Sequence, residues 1–244
     1  MKRTFLLVLC ACVVCCCIAQ KMVTIPYNAT SIPDNYRNSN PDYVLYPASL
    51  EGKDSIEMTC DLTISSCIEA VDLGLSVKWA TCNIGTGYPT GKGQYFAWGE
   101  ICPKNMYTWD TYKLKYKYHP SYDENTELEA CDDVATNFWG EEWRLPTVEE
   151  FEELLNRCSW AWDDEYKGYT IYGPNGNSIF LPAAGFRHAN NWLSVEERCL
   201  YWSKSLNQQN AIQAMSLIIT KAFNEKGIGV AEKGHGLSIR PVSP

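Results

Sequence analysis

The strongest local signal in this sequence is a helix start at Thr147. Glu150 follows three residues later, so the threonine hydroxyl can accept the Glu150 amide while the glutamate carboxylate reaches back to Thr147. The apolar side chains of residues 148–158 recur on one helical face, and Arg157 lies near the end that favours positive charge. We therefore expect a helix over residues 148–158 with one buried face.

A second capping pattern, Thr126 with Glu129, precedes apolar residues at helical spacing and a glycine at position 140. It predicts a helix over residues 127–138. The Asp132-Asp133 pair of this helix is expected on its solvent side, without a metal or acid–base role, because the sequence places no third ligand.

The remaining regular structure is predicted as strands. Apolar residues alternate over 71–79, 94–100 indicates a second strand, and 105–122 is expected to form strand and loop. A glycine- and asparagine-rich turn at 173–177 predicts a hairpin, and further strands are expected around 201–202, over 211–222 and at 236–242. Helices and strands in this order predict an α+β fold with mixed or antiparallel sheets and long loops.

The N-terminus has the pattern of an export signal. Lys2 and Arg3 precede an apolar run from Phe5 to Ile18, and Ala19 suits cleavage before Gln20. The run of 14 residues is shorter than the roughly 20 that span a membrane, so no membrane span is expected in the mature chain. Residues 1–19 are predicted to be a signal peptide of a secreted or cell-surface protein, with a lipoprotein anchored at Cys12 as the alternative.

Residues 20–68 are predicted to form an N-terminal extension, linker-like at first and with one strand in the alternating run 56–64. Residues 69–244 form the main domain. Seven of the 12 cysteines follow the signal, and Cys60 and Cys67 are close enough in sequence to form a disulfide, with buried thiols as the alternative.

The charge balance argues against nucleic acid as a partner. The chain has a formal charge of −8, and loss of Lys2 and Arg3 leaves 19 basic against 29 acidic residues. An acidic surface repels a phosphate backbone.

Six separated motifs in the main domain share a resemblance to a known family. They are Val71-Asp-Leu-Gly-Leu-Ser-Val-Lys-Trp-Ala80, Tyr95-Phe-Ala-Trp-Gly-Glu100, Trp143-Arg-Leu-Pro-Thr147, Gly173-Pro-Asn-Gly-Asn-Ser-Ile-Phe-Leu-Pro-Ala-Ala-Gly-Phe-Arg187, Tyr201-Trp-Ser203 and Gly236-Leu-Ser-Ile-Arg-Pro-Val242. In this order they resemble the Fibrobacter succinogenes major paralogous domain family, which is abundant in surface proteins of gut Bacteroidetes. That family is similar to the formylglycine-generating-enzyme branch of the C-type-lectin-like fold.

The resemblance implies a C-type-lectin-like fold, in which the first and last strands of the domain lie together. Residues 74–78 and 236–240 share the pattern Gly-Leu-Ser-aliphatic-basic. We therefore expect these two segments to pair.

The residues that give related proteins their catalytic or calcium-binding activity are not matched in this chain. The copper-dependent oxidases of this branch use two late cysteines, whereas the late region here holds only Cys199. Neither 173–176 nor 201–204 supplies the carboxylates of a calcium lectin, and none of the three histidines belongs to a recognisable catalytic motif. We expect no catalytic residue, metal or cofactor.

The resulting prediction is an exported, non-catalytic recognition module that binds an unidentified glycan or protein ligand. The lectin-like fold commonly binds through late loops, here predicted over 186–210 and 224–234, which offer amide groups and one aromatic platform. The candidate ligand-binding residues are Arg187, Asn190, Asn191, Trp192, Asn224 and Glu225. Two alternatives are a formylglycine-generating-like metal-dependent oxidase with a displaced site and a structural envelope module.

Overall fold

The computed structural model describes residues 68–120, 125–223 and 225–244, together with two strands nearer the N-terminus. These are β1 (Met22–Pro26) and β2 (Ser55–Thr59), which pair antiparallel. Strand β2 falls within the alternating run that predicts a strand, whereas β1 lies in the segment predicted to be linker-like. The predicted signal at 1–19, Cys12, and the Cys60–Cys67 pair lie outside the described residues.

The part of 69–244 that the structure describes is α+β, with two α-helices and several small antiparallel sheets. The helices are α1 (Val134–Trp139) and α2 (Val148–Arg157). The strands are β3 (Ala70–Val71), β4 (Lys78–Ala80), β5 (Ser159–Asp163), β6 (Gly168–Tyr172), β7 (Ser178–Pro182), β8 (Phe186–His188), β9 (Asn191–Leu193), β10 (Arg198–Leu206), β11 (Gln213–Thr220), β12 (Glu225–Glu232) and β13 (Val242–Ser243). They form the sheets β13-β4-β3, β5-β6-β7, β8-β9 and β10-β11-β12.

Helix α2 confirms the prediction from the capping pattern. The Thr147 hydroxyl accepts the Glu150 amide at 3.2 Å, and the Glu150 carboxylate accepts the Thr147 amide at 2.9 Å. Phe151 and Leu154 are buried on the predicted apolar face. Arg144, which precedes the Thr147 N-cap, adds a salt bridge to Glu150 at 2.5 Å and so also fixes the first turn of the helix.

The prediction of a helix over 127–138 is wrong at its start. A 3₁₀ turn covers Ala130–Asp132, and α1 begins only at Val134, capped by Asp133. The Asp133 carboxylate accepts the amides of Ala135, Thr136 and Leu145, and it is buried rather than on the solvent side. Burial raises the pKa of this carboxyl despite those hydrogen bonds.

The continuous strand predicted over 71–79 is also wrong. Only the two ends, β3 and β4, are strands, and they pair with each other. Gly74 has a φ of +73°, and its amide is bound by the Asp72 carboxylate at 2.6 Å. This turn folds the segment back on itself, which the apolar alternation alone does not reveal.

The predicted strands at 94–100 and 236–242 are extended but mostly irregular. A bridge between Phe96 and Leu237 joins them. Within the second segment, only its last residue, Val242, belongs to a strand, β13. The described part of 105–122 contains turns and a single bridge, from Tyr107 to Ala189, instead of a named strand.

The first and last strands of the domain are neighbours, but the predicted pairing of 74–78 with 236–240 is shifted along both segments. Val242 lies opposite Trp79 and Ser243 opposite Lys78. The shared five-residue pattern therefore does not define the register.

The predicted hairpin is confirmed as β6 and β7, which flank the turn at 173–177. The late regions predicted as loops are corrected. Residues 186–210 contain the strands β8, β9 and β10, and residues 225–232 form the strand β12. Tyr201 and Trp202 lie on β10 as expected.

Large aromatic side chains from separate motifs form the core. The Trp98 indole donates to the Ser203 carbonyl at 2.8 Å, and the Trp202 indole donates to the Phe96 carbonyl at 2.7 Å. All the indole atoms involved are buried, so each tryptophan satisfies its one donor while filling the core. This exchange joins the 96–98 segment to β10.

Arg240 is a charged residue whose side chain is fully buried. Its guanidinium donates to the Asn83 side-chain oxygen at 2.8 Å and to the carbonyls of Ala80, Thr81 and Phe180 at 2.8–3.0 Å. Its exposed fraction is 0%. Arg240 therefore ties the last segment of the chain to the β4 region and to β7.

Candidate functional site

The structure divides the six predicted ligand-binding residues between two places. Arg187, Asn190, Asn191 and Trp192 lie together on the hairpin of β8 and β9, which we call the Trp192 hairpin (residues 186–193). Glu225 begins β12 and lines a different surface, described below. Asn224 lies outside the described residues.

The turn of the Trp192 hairpin depends on contacts from a distant loop. Ala189 has a φ of +53°, a region that costs a non-glycine residue roughly 1 kcal/mol. The Tyr107 amide donates to the Ala189 carbonyl at 2.9 Å, and the Ala189 amide donates to the Tyr107 carbonyl at 2.8 Å. This reciprocal pair holds the turn in a conformation that the residue itself disfavours.

Two glycines allow the close approaches around the hairpin. A Cβ at Gly185 would lie 2.2 Å from the Leu193 carbonyl oxygen, and Gly185 has a φ of +64°. A Cβ at Gly236 would lie 2.7 Å from the Tyr107 ring. Gly185 thus permits the backbone of residues 193–195 to approach closely.

Arg187 lies between two aromatic rings on one face of the hairpin. Its guanidinium carbon is 4.3 Å from the centroid of the Trp192 ring and 4.9 Å from that of Tyr107. Tyr107 is fully buried, whereas Trp192 is 56% exposed. The guanidinium thus fixes the inner face of an indole whose remaining surface is open to solvent.

The hydrogen bonds of Arg187 go to backbone carbonyls. Nη1 donates to Lys104 at 3.2 Å, and Nη2 donates to Asn105 at 3.2 Å and to Asn190 at 3.4 Å. Nε is buried and makes no hydrogen bond within the described part of the chain. Arg187, one of the predicted ligand-binding residues, is half-buried and packs against the indole.

The loop that accepts these hydrogen bonds is itself anchored by a buried ion pair. Lys104 Nζ lies 2.8 Å from the Glu100 carboxylate, and both side chains are largely shielded from solvent. Burial lowers the pKa of Lys104, while Glu100 opposes that shift. The Tyr107 hydroxyl also accepts the Lys104 amide at 3.1 Å, which keeps the 104–107 backbone beneath the hairpin.

On the other face of the hairpin, His188 contacts a second histidine, His235. Neighbouring residues on a strand point to opposite sides, so Phe186 and His188 face away from Arg187. The rings of His188 and His235 lie 4.8 Å apart at 82°, and Phe186 lies 5.5 Å from His235. Partial burial lowers the pKa of His235; Glu232 opposes this effect and His188 adds to it.

Glu225 borders a surface groove of about 710 Å³ at the other end of β12. The groove is lined by residues 196–198, 220–223 and 225. Two of its charges are already engaged, because Glu196 pairs with Lys92 at 3.1 Å and Lys221 pairs with Asp164 at 2.7 Å. It does not share lining residues with the Trp192 hairpin.

Glu129, Cys131 and Asp132 bring ligand-type atoms within 4.8 Å of one another. The Lys117 ammonium already occupies the centre of this group, 2.7 Å from Glu129 and 2.6 Å from Asp132. These contacts explain why the pKa of Glu129 is lowered. The group is a lysine-neutralised surface cluster.

Five cysteines fall in the described residues, and each is a thiol rather than half of a disulfide: Cys82, Cys102, Cys131, Cys158 and Cys199. Cys199, the one late cysteine, is completely buried, and burial raises the pKa of its thiol well above the ordinary value.

Sequence reasoning missed Lys104, Tyr107 and His235 as parts of the site region. Lys104 lies 83 residues before Arg187 and Tyr107 lies slightly closer, and no local spacing connects either of them to Arg187. His235 lies between two glycines, which signals a turn but not a ring contact with His188. Only the folded backbone brings these groups together.

Comparison with known proteins found no matching family model, characterised protein or solved structure. Among the described helices, none is long and apolar enough to cross a membrane.

Proposed function

We propose that this protein is an exported, non-catalytic recognition module with a C-type-lectin-like fold, which binds a glycan or protein ligand through the Trp192 hairpin. The observation that carries the proposal is the exposed Trp192 indole, held from behind by Arg187 over the buried Tyr107. An aromatic ring fixed before binding loses little conformational freedom when a ligand packs on it.

The neighbours of Trp192 suit a ligand with both apolar and polar faces. The exposed Asn190 and Asn191 at the hairpin turn each carry an amide that can donate and accept. Sugars present C–H groups on one face of the ring and hydroxyls at its edge. An indole beside two amides complements both, which favours a glycan ligand.

The assignment of a C-type-lectin-like fold draws on the resemblance and on two features of the chain. The first and last strands of the main domain, β3-β4 and β13, share one sheet. Residues from separate family-like motifs, among them Trp79, Trp98, Trp202 and Arg240, pack into the core or bridge it.

The non-catalytic assignment is supported by the state of Cys199. An oxidase of this branch needs an accessible late thiol, whereas Cys199 is sealed in the core with its protonated form favoured. Binding without turnover fits the hairpin better, since its aromatic and amide groups are binding groups.

Export is proposed from the N-terminal pattern of Lys2, Arg3 and the apolar run. Mass spectrometry of the mature protein tests it. A first residue of Gln20 supports secretion, a diacylated N-terminal cysteine supports the lipoprotein alternative, and an intact Met1 contradicts both.

A binding screen against glycans, mucin and envelope proteins tests the function. We expect a saturable interaction with the full chain, produced with its own export signal, and a loss of at least tenfold in affinity for Trp192→Ala. Phe223→Ala is the matched control, because Phe223 is 72% exposed and belongs to the separate groove. Equal binding by both variants would remove the Trp192 hairpin as the site.

A further inference from the structure

The Trp192 hairpin carries a positive charge, that of Arg187, which no carboxylate of the described residues pairs with. The nitrogens of Arg187 bind carbonyls, and within the described ranges no acidic side chain lies at ion-pair distance from it. The nearby Glu100 is buried and already engaged by Lys104 at 2.8 Å. Arg187 therefore retains its full charge beneath the exposed indole.

This local positive charge contrasts with the formal charge of the whole chain, which is −8. Surface lysines such as Lys92, Lys117 and Lys221 are each paired with a carboxylate. A charge placed behind a partly buried ring is also screened less by solvent than a charge on an exposed lysine. The hairpin is consequently a place where an anion is attracted.

The position of the guanidinium also determines what the indole accepts. A cation 4.3 Å from the inner face draws electron density from the ring, so a second cation on the outer face is disfavoured. C–H groups can still pack there. A ligand with an apolar ring face and an attached anionic group gains from both effects.

Resting on the proposed function, we infer that the Trp192 hairpin selects an acidic glycan: a pyranose that carries a carboxylate, of the uronic or sialic acid type. The sugar ring packs on the outer face of Trp192, its hydroxyls meet the amides of Asn190 and Asn191, and its carboxylate lies in the field of Arg187.

A sugar fits this surface better than an acidic peptide does. The site presents one exposed aromatic ring and two amides at a hairpin turn, and β9 is only three residues long. Such a short edge offers few backbone hydrogen bonds to an added strand. The recognition elements match one or two sugar rings.

The test compares ligands that differ only in charge. An oligogalacturonide and its carboxyl-reduced form, and sialyllactose and lactose, are titrated into the full chain at low and high salt, with oligoglutamate as the peptide probe. We expect at least one acidic sugar to bind about tenfold more tightly than its neutral counterpart, with the preference shrinking as salt rises.

Three variants show which side chain produces the preference for the acidic sugar. Trp192→Ala should weaken binding of the acidic and neutral forms together, whereas Arg187→Gln should reduce the ratio between them towards one. Arg157→Gln, which removes an exposed arginine elsewhere, should leave that ratio unchanged.

Each other outcome decides against one of the two proposals. Equal, Trp192-dependent binding of acidic and neutral sugars overturns the acidic preference and leaves the recognition function standing. Binding of oligoglutamate alone overturns the glycan inference in favour of a peptide. If neither the sugars nor oligoglutamate bind, the acidic-glycan inference is overturned. If the screen against glycans, mucin and envelope proteins also finds no binding, the proposed recognition function is overturned as well.

Discussion

Arg240 and Arg187 make the same kind of hydrogen bonds in two very different places. Both donate to carbonyl or amide oxygens and neither has a carboxylate partner among the described residues. Arg240 is fully buried, whereas Arg187 is covered on two sides by aromatic rings and is only half-buried.

The difference lies in what each guanidinium holds together. Arg240 donates to backbone carbonyls of segments that lie far apart in the chain, so its bonds serve the stability of the fold. Arg187 links the 104–105 backbone to a surface indole, so its bonds mainly fix the orientation of Trp192. Burial, and not bond type, decides whether the arginine serves the core or the surface.

The largest expected effect is that of Arg240→Met. It removes the hydrogen bonds that the buried guanidinium makes to Asn83, Ala80, Thr81 and Phe180, and we expect the free energy of unfolding to fall by about 3 kcal/mol or more. Urea denaturation measures it, with Arg157→Met as the control, because exposed Arg157 should cost less than about 1 kcal/mol. A loss for Arg240→Met no larger than the control would erase the distinction between the two arginines.

Arg187→Met should have a smaller effect on stability and a larger one on the indole. We expect a loss of about 1–2 kcal/mol, from the cation–π contacts and the partly exposed hydrogen bonds. Time-resolved fluorescence anisotropy should report faster local motion of Trp192. Unchanged anisotropy would mean that other contacts fix the ring.

The histidine pair makes the hairpin region sensitive to pH. His235 is half-buried beside Phe186 and His188, and this partial burial places its pKa in the folded state below the unfolded value of about 6.5. The unfolded chain then binds the proton more readily, and this contribution to stability is lost as pH falls below about 6.5 through the lowered pKa.

His235→Gln should flatten that part of the pH dependence, measured as the urea midpoint between pH 8 and pH 5. His119→Gln, outside residues 186–193 and outside the ring contact of His188 with His235, serves as the control. An unaltered slope in His235→Gln would assign the acid sensitivity to other groups.

The smallest effect on folding is expected for Trp192→Ala. The ring is mostly exposed, so the free energy of unfolding should change by less than about 1 kcal/mol even though ligand affinity falls sharply. Thermal unfolding checks this expectation. A loss comparable to that of Arg240→Met would make the hairpin part of the core.

The parts of the fold that follow from sequence are those fixed by neighbouring residues. The Thr147–Glu150 capping box acts within one helical turn, and the 173–177 turn joins two adjacent strands, so both are predicted from local spacing. Residues 126–129 have the same local pattern as 147–150, yet no α-helix begins there. There, Glu129 is bound by Lys117 and Glu127 by Lys204, contacts that spacing cannot reveal.

The sequence indicates which residues lie near one another in the candidate site, but it does not indicate the contacts that hold them in place. Four of its six residues share one hairpin, because they are close in sequence. The role of Arg187 as a support depends on Lys104 and Tyr107, and Glu225 was grouped with the hairpin only through the assumption that late segments converge. Contacts across some 80 residues depend on the whole chain being folded.

The exchange of indole hydrogen bonds between Trp98 and Trp202 has a kinetic consequence. Each bond joins residues more than 100 positions apart, so the core cannot assemble until the chain has closed a very large loop. Refolding should be slow for a domain of this size, and the burial of these two indoles should occur late, in the same kinetic phase as the formation of β10.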